Sequence, residues 1–166
     1  IEDESRELDR VRYRQVVDIL RGLDAPVVHV PGNHDTIFLS EQDLLDAWAD
    51  PRAIHESEGT GRPRLYRSLE IAGLHVVVLH SREEKDRAVS IEDEQLAWLE
   101  RDLAAARLPV LVLVHHSPAD QVLGGNRWFE GRAHICLIRE RKRLRAILER
   151  SGKVLLVVNG HLHWNH

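Results

Sequence analysis

Apolar and polar positions along this chain alternate in two different periods, and the changes of period mark its elements. Over residues 5–23, Leu8, Val11, Val16, Ile19, Leu20 and Leu23 recur near a 3.6-residue spacing with Asp and Arg between them, which predicts a helix. Ala25-Pro26 breaks it, residues 27–30 read as a short apolar strand, and Pro31-Gly32 turns the chain. A second helix is predicted over 41–48 with Ser40 as its N-cap. Gly, Pro and Arg dominate 59–64, which reads as loop. Residues 65–71 and 74–80 form a predicted strand pair joined at Ala72-Gly73.

The second half repeats the alternation. Ser90 is placed to cap a helix, with Asp93 three residues on where Glu is usual, and Ile91, Leu96, Trp98, Leu99 and Leu103 carry that helix to about Ala106. Residues 110–114, Val-Leu-Val-Leu-Val, are the kind of run buried on both faces of a sheet. The loop over 115–131 is long for a compact domain, as functional loops often are. Helical spacing returns over 135–150, Ser151-Gly152 stops it, and 153–158 is a last buried strand that empties into Gly160-His161-Leu162-His163. No repeat interrupts the order. The expected class is a single layered α/β domain whose polar residues gather where strands end, the place where open α/β sheets hold ligands.

Composition limits the possibilities without choosing among them. The 166 residues suffice for one domain with a real core. No apolar run approaches the ~18–20 residues of a membrane-spanning helix, so no membrane partner is expected. Lys plus Arg total 23 against 27 Asp plus Glu, a formal charge of −4, which argues against nucleic acid as a partner. The run Arg139, Arg141, Lys142, Arg143, Arg145 reads as the solvated face of a helix. A single cysteine, Cys136, rules out an internal disulfide and fits a reducing, cytoplasmic compartment. The chain has no methionine and opens on Ile1 inside a helical pattern. The expectation is therefore one domain over 1–166, incomplete at the N-terminus and also at the C-terminus. Oligomeric state is not set by the sequence.

Chemistry concentrates in three clusters after three apolar strands: Gly32-Asn33-His34-Asp35, His115-His116-Ser117-Pro118 and Gly160-His161-Leu162-His163. Each alone has an ordinary reading, since Asn and Asp favour turns and a lone loop histidine is usually hydrogen-bonded. The His-x-His pair says more, because alternate residues of an extended segment point the same way and reach one ion or two adjacent ions. Imidazole nitrogen and amide oxygen suit Mn, Fe, Co, Ni or Zn. Asn33, His115, His161 and His163 are all neutral, however, so two divalent ions would bring about four positive charges with no carboxylate to offset them. An acidic member is missing from the set. Cys136, within a helical pattern away from the clusters, does not point to sulfur ligation.

In this order the motifs resemble the calcineurin-like metallophosphoesterases, whose set runs Asp-x-His, Gly-Asp-x-x-Asp, Gly-Asn-His-Asp/Glu, a His after an apolar strand, and Gly-His-x-His. The last three stand here at 32–35, at His115 after Val112, and at 160–163; the first two are absent from the chain. Residues 94–100, Glu-Gln-Leu-Ala-Trp-Leu-Glu, are similar to the Gln-Leu-x-Trp-Leu helix of the cyclic-nucleotide-phosphodiesterase-like branch. The resemblance implies a four-layer αββα sandwich of mixed β-sheets lacking its first strands, with two divalent metal ions as cofactors. It implies that Asn33, His115 and His161 hold one ion, and His163 the other alongside an Asp and a His outside this chain. His34 would contact the phosphate and protonate the leaving oxygen, with Asp35 hydrogen-bonded to His34 as its orienter. A hydroxide bridging ions roughly 3.5–4 Å apart would attack phosphorus in line. The implied activity is phosphate-ester hydrolysis, phosphodiesters first, on a small substrate such as a nucleotide. The alternatives are a phosphomonoesterase or nucleotide pyrophosphatase on the same site, or a homologue that binds metal or phosphate without turnover. Without the absent carboxylates, this chain alone is expected to be inactive.

Other polar residues have two readings each. His116 and Ser117 either line the phosphate pocket or make ordinary loop hydrogen bonds. Asn126, Arg127, Trp128 and Phe129 either read a base or sugar or plug the core. His29, His75 and His80 lie in strand patterns and read as packed or hydrogen-bonded. Trp164 and His166 follow the last motif with no role set by the sequence.

Overall fold

Apolar runs become strands only when they find a ladder, and here the ladder is one mixed sheet. The computed structural model describes residues 2–48, 64–84 and 87–163, with side chains from Ser5 onward. Its elements are α1 (Glu2–Arg21), a 3₁₀ turn (His34–Thr36), α2 (Glu41–Ala47), β1 (Arg67–Ile71), β2 (Leu74–Val78), α3 (Asp93–Ala105), β3 (Val110–Val114), a second 3₁₀ turn (Ala133–Ile135), α4 (Arg141–Ser151) and β4 (Val154–Asn159). The sheet order is β1-β2-β3-β4. β1 and β2 are an antiparallel hairpin whose turn residues Ala72 and Gly73 both have positive φ, the conformation that follows the strands' right-handed twist. β2, β3 and β4 run parallel, so their C-terminal ends share one edge.

One face of the sheet makes the main core. Val77, Leu79, Val110, Val112 and Val114 pack against Leu96, Trp98, Leu99 and Leu103 of α3 and Leu144, Ile147 and Leu148 of α4. The opposite face grades from closed to open: Leu69 and Val76 are buried, Leu111 beside them is half-buried, and Leu156 beyond it is 56% exposed. Sheet and helices give the α/β layering expected, consistent with the sandwich; a second sheet is not among the described residues. Nor is any helix long and apolar enough to cross a membrane among them.

Several local expectations change. The strand over 153–158 was expected to be buried, but β4 is the outer strand of the described sheet, with Leu155 at 71% and Val158 at 45% exposure. Leu155 falls where the pairing register shifts between Val110 and Leu111, a bulge. Residues 27–30 have no ladder partner among the described residues; Arg67 donates to the His29 carbonyl at 2.9 Å instead. Ser90 does not cap α3. It exchanges backbone hydrogen bonds with Arg82, and Glu92 takes the cap position. Helix does not fill 135–150, because Leu137 pairs with Ser117 in a parallel bridge and the helix starts only at Arg141. Cys136 is consequently not on a helix but buried with Leu123, Leu137 and Leu162, directly under the last histidine motif. On α1 the stripe of Leu8, Val11, Val16 and Ile19 is exposed, as is Leu23 just past its end, whereas Val17 is buried and Tyr13 packs on Leu39, Leu44 and Leu65. The basic run near α4 is solvated yet paired: Arg141 and Arg145 meet Asp120. The loop over 59–63 lies outside the described residues.

Ser40 caps α2 in a reciprocal box with Asp43, as its sequence predicts, and Asp43 also receives Arg6 and Arg10 from α1. Asp102 of α3 does comparable work inside the core, accepting from Ser68 Oγ at 2.6 Å and facing His75 Nε2 at 2.7 Å. Asp102→Ala strips a partner from two buried polar groups and should cost about 2–4 kcal/mol of unfolding free energy, read from urea denaturation. A change below about 0.5 kcal/mol would mean that water replaces the carboxylate without penalty.

Candidate metal centre

The parallel strand ends put distant residues side by side. Val114 pairs with Asn159, and one step further Gly160 N–H donates to the His115 carbonyl at 3.0 Å. Pro31-Gly32 is buried against this edge, and a Cβ on Gly32 would lie 2.9 Å from His115 Cε1. Only glycine leaves room for that ring. In the slot, His115 Nε2 is 2.9 Å from Asn33 Oδ1 and 3.1 Å from His161 Nδ1. Ligand bonds of about 2.0–2.2 Å set near 90° hold donor atoms about 3.0 Å apart, so each of these two contacts has the spacing of two donors to one cation. The nitrogens of His115, His116 and His161 all lie within 4.8 Å of one another.

Burial sets the protonation of these rings. Desolvation pushes His115 down, with His34 and His163 adding to the shift, and brings His161 to about 4 with His115 and His163 adding to it. Neutral imidazole is the form that coordinates metal, so the enclosure keeps the lone pairs available at neutral pH.

The last motif is not extended, which corrects the reason for reading its histidines as a pair. Leu162 N–H bonds back to the Gly160 carbonyl at 2.8 Å around His161 at φ +68, a γ-turn, and His163 follows at φ +51. Such conformations cost on the order of 1–3 kcal/mol each and need support. Leu162, 2% exposed, anchors the turn in the small core with Cys136, while Asn126 Nδ2 donates to its carbonyl at 3.2 Å. The Phe129 ring stacks on His161 with centroids 4.7 Å apart. His163 is exposed, and its ring centroid lies 6.4 Å from that of Phe129 in a T-shaped arrangement.

Other sequence candidates are placed as follows. His34 is exposed beside Asn33. Asp35 does not bond it: the 3₁₀ turn folds the carboxylate back so that Oδ2 accepts from Gly32 N–H at 2.7 Å and lies 3.8 Å from His29 Nε2. Burial works against the Asp35 charge, but His29 and the Gly32 amide outweigh it and hold the pKa low. His29 is packed as expected, 2.9 Å from Tyr13 OH and stacked on Trp48. His116 has no exposed surface, and Ser117 is equally enclosed and accepts from Ala119 N–H. Asn126, proposed for substrate, is instead occupied by the backbone, its Oδ1 accepting from Trp128 and Phe129 N–H. Arg127 is exposed and lies over the Trp128 ring. Trp164 and His166 are outside the described residues.

Two residues were overlooked, Ser81 and Glu83. They follow β2, whose end lies on the same edge as those of β3 and β4, and that position was the available signal. Gln95 of the Gln-Leu-x-Trp-Leu helix is what holds this strand end, bonding the His80 N–H and carbonyl at 2.8 Å each.

A family model described as calcineurin-like phosphoesterase matches residues 6–165. Among curated proteins the chain is 25% identical to a probable cyclic nucleotide phosphodiesterase of Fibrobacter succinogenes, over 91% of this chain and 51% of that protein. It is 26% identical to purple acid phosphatase 15 of Arabidopsis thaliana, over 83% of this chain and 24% of that one. The chain thus spans about half the length of one relative and a quarter of the other.

Gly32→Ala should leave helix content unchanged by circular dichroism while weakening Zn²⁺ binding at least about tenfold by calorimetry, since it displaces the His115 ring without touching its chemistry. Acid sensitivity is the second expectation. His80 and His161 have folded pKa values of about 4, below the ordinary value near 6.5 that the unfolded chain would show. The unfolded chain therefore takes up protons first, so this contribution is whole above about pH 6.5 and fades as pH falls toward 4. Urea midpoints measured with chelator present should drop across that window; a constant midpoint would contradict neutral burial.

Proposed function

The chain belongs to the calcineurin-like phosphoesterase family, and from that footing we propose that it is the metal-binding part of a hydrolase that cleaves phosphate esters, with phosphodiesters preferred. The observation that carries this reading is the meeting of Asn33 Oδ1, His115 Nε2 and His161 Nδ1 at single-cation spacing. An oxygen and two imidazole nitrogens fit Mn, Fe, Co, Ni or Zn. In the proposal His163 serves a second ion together with acidic donors from further chain. Such chain would also cover the apolar surface open on β4 at Leu155, Leu156 and Val158 and on the α1 stripe, which supports reading 1–166 as part of a larger domain. The phosphodiesterase name of one relative and the helix over 94–100 favour diesters; the phosphatase name of the other keeps monoesters as the second reading. A cytoplasmic setting, suggested by the unpaired thiol of Cys136, is part of the same proposal.

When bound, the divalent ions supply positive charge that stabilises the phosphoryl oxygens and acidifies water. The chain's own residues do the rest. Asn33, His115 and His161 hold position because each is fixed from outside the centre. His34, exposed next to Asn33, is free to reach the leaving oxygen and give it a proton. Asp35, turned to Gly32 N–H, does not fix its ring, so substrate contact does the orienting. Phe129 keeps water off one side of His161.

The test is an assay of the full-length protein with Mn²⁺ on bis-p-nitrophenyl phosphate, p-nitrophenyl phosphate and cyclic nucleotides. Turnover of the diester above the monoester is expected, and no turnover of any would overturn the enzyme reading. His34→Ala should lower kcat about 10²–10⁴-fold with metal content unchanged. Metal lost in step with activity would make His34 a ligand.

A further inference from the structure

One carboxylate at the centre has no role in the reading above. Glu83 sits past the end of β2, on the same sheet edge as the metal-binding trio. Among the described residues its Oε2 is buried without a hydrogen-bond partner and lies 3.4 Å from His116 Nε2, which is buried and unpartnered in the same way. At that length the contact is electrostatic rather than a well-formed hydrogen bond, but in an enclosed setting it is still directional.

Ser81 determines what His116 presents to it. Ser81 Oγ accepts from the His116 backbone N–H at 3.2 Å and lies 2.8 Å from His116 Nδ1. In the tautomer in which that hydroxyl donates to Nδ1, the ring proton sits on Nε2 and points at the Glu83 carboxylate. Two other groups act on that carboxylate: the side chain of Asn33, by a hydrogen bond, and the imidazole of His34, through its charge. A carboxylate only accepts, so the part of the amide it draws toward itself is the NH₂ group. That orientation leaves Oδ1 turned to His115 Nε2, 2.9 Å away.

We propose that Glu83 is a positioning residue of the metal centre: braced by His116, it holds the amide of Asn33 so that its oxygen, not its nitrogen, faces the ion. The inference rests on the metal-centre reading above. It also gives a set of neutral donors a nearby negative charge from within this chain. Glu83 meets His116, Asn33 and the charge of His34 rather than the nitrogens of His115 and His161, so its action on the ion runs through Asn33.

Zn²⁺ titration calorimetry on the chain and four variants tests this without any assay of turnover. Glu83→Ala should weaken Zn²⁺ binding about 10–100-fold, the range for outer partners of metal ligands. Glu83→Gln, which keeps an accepting oxygen, should recover part of the loss and guards against a packing defect. In an Asn33→Ala background, Glu83→Ala should change affinity less than about twofold, because the group it positions is gone. Wild-type affinity in Glu83→Ala with weakened binding in Asn33→Ala overturns the inference alone. A full Glu83→Ala loss persisting in the Asn33→Ala background also overturns it and makes Glu83 a direct ligand. Wild-type affinity in Asn33→Ala overturns the metal-centre reading, and this inference with it.

Discussion

The parallel register of β3 and β4 governs everything at the site. It sets Val114 beside Asn159, and the hydrogen bond from Gly160 N–H to the His115 carbonyl carries the ladder one step past both strands. His115 and His161, 46 positions apart, become neighbours because two apolar runs pair in that frame and no other. A slip by one residue would turn each strand's side chains to the opposite face and move both histidines out of reach. Gly32 then closes the arrangement from below, since the His115 ring fills the volume that a side chain there would need.

Enclosure supplies the chemical character of the centre. Imidazoles surrounded by protein stay neutral, which suits coordination but leaves positive charge to be offset elsewhere. The left-handed turn at His161 adds strain at the point where a ligand must be aimed, and the small core of Leu123, Cys136, Leu137 and Leu162 holds it there. Much of the long loop over 115–131 is spent on this support: Ser117 and Asn126 satisfy backbone groups, and Phe129 walls one ligand. Arg127 and Trp128 are left exposed, the guanidinium lying over the indole.

The helix over 94–100 shows how a motif can serve function at a distance. Leu96, Trp98 and Leu99 are core residues, and Gln95 clamps the backbone of His80. That clamp fixes where the chain leaves β2, hence where Ser81 and Glu83 stand relative to Asn33 and His116. The motif builds the scaffold of the centre without touching it.

Much was legible in the amino-acid order alone. Periodicity located α2, α3, β3 and the hairpin within a few residues, because their patterns agree with the environments they enter. The clustering of Asn33, His115 and His161 was legible because each directly follows an apolar run or turn signal. Other features depended on partners that local patterns do not encode. Residues 27–30 lack a ladder, Leu137 trades helix for a bridge to Ser117, and β4 exposes a face that its composition would bury. Asp35 turns to His29 rather than His34, and His116 lies beneath the surface it was expected to line. The sequence by itself determined which residues have the chemistry to bind a cation and that they stand at strand ends. Tertiary structure alone decided which of them meet, which are buried, and that Glu83 joins them, because hydrogen-bond partners and solvent exposure arise only when segments far apart in the chain come into contact.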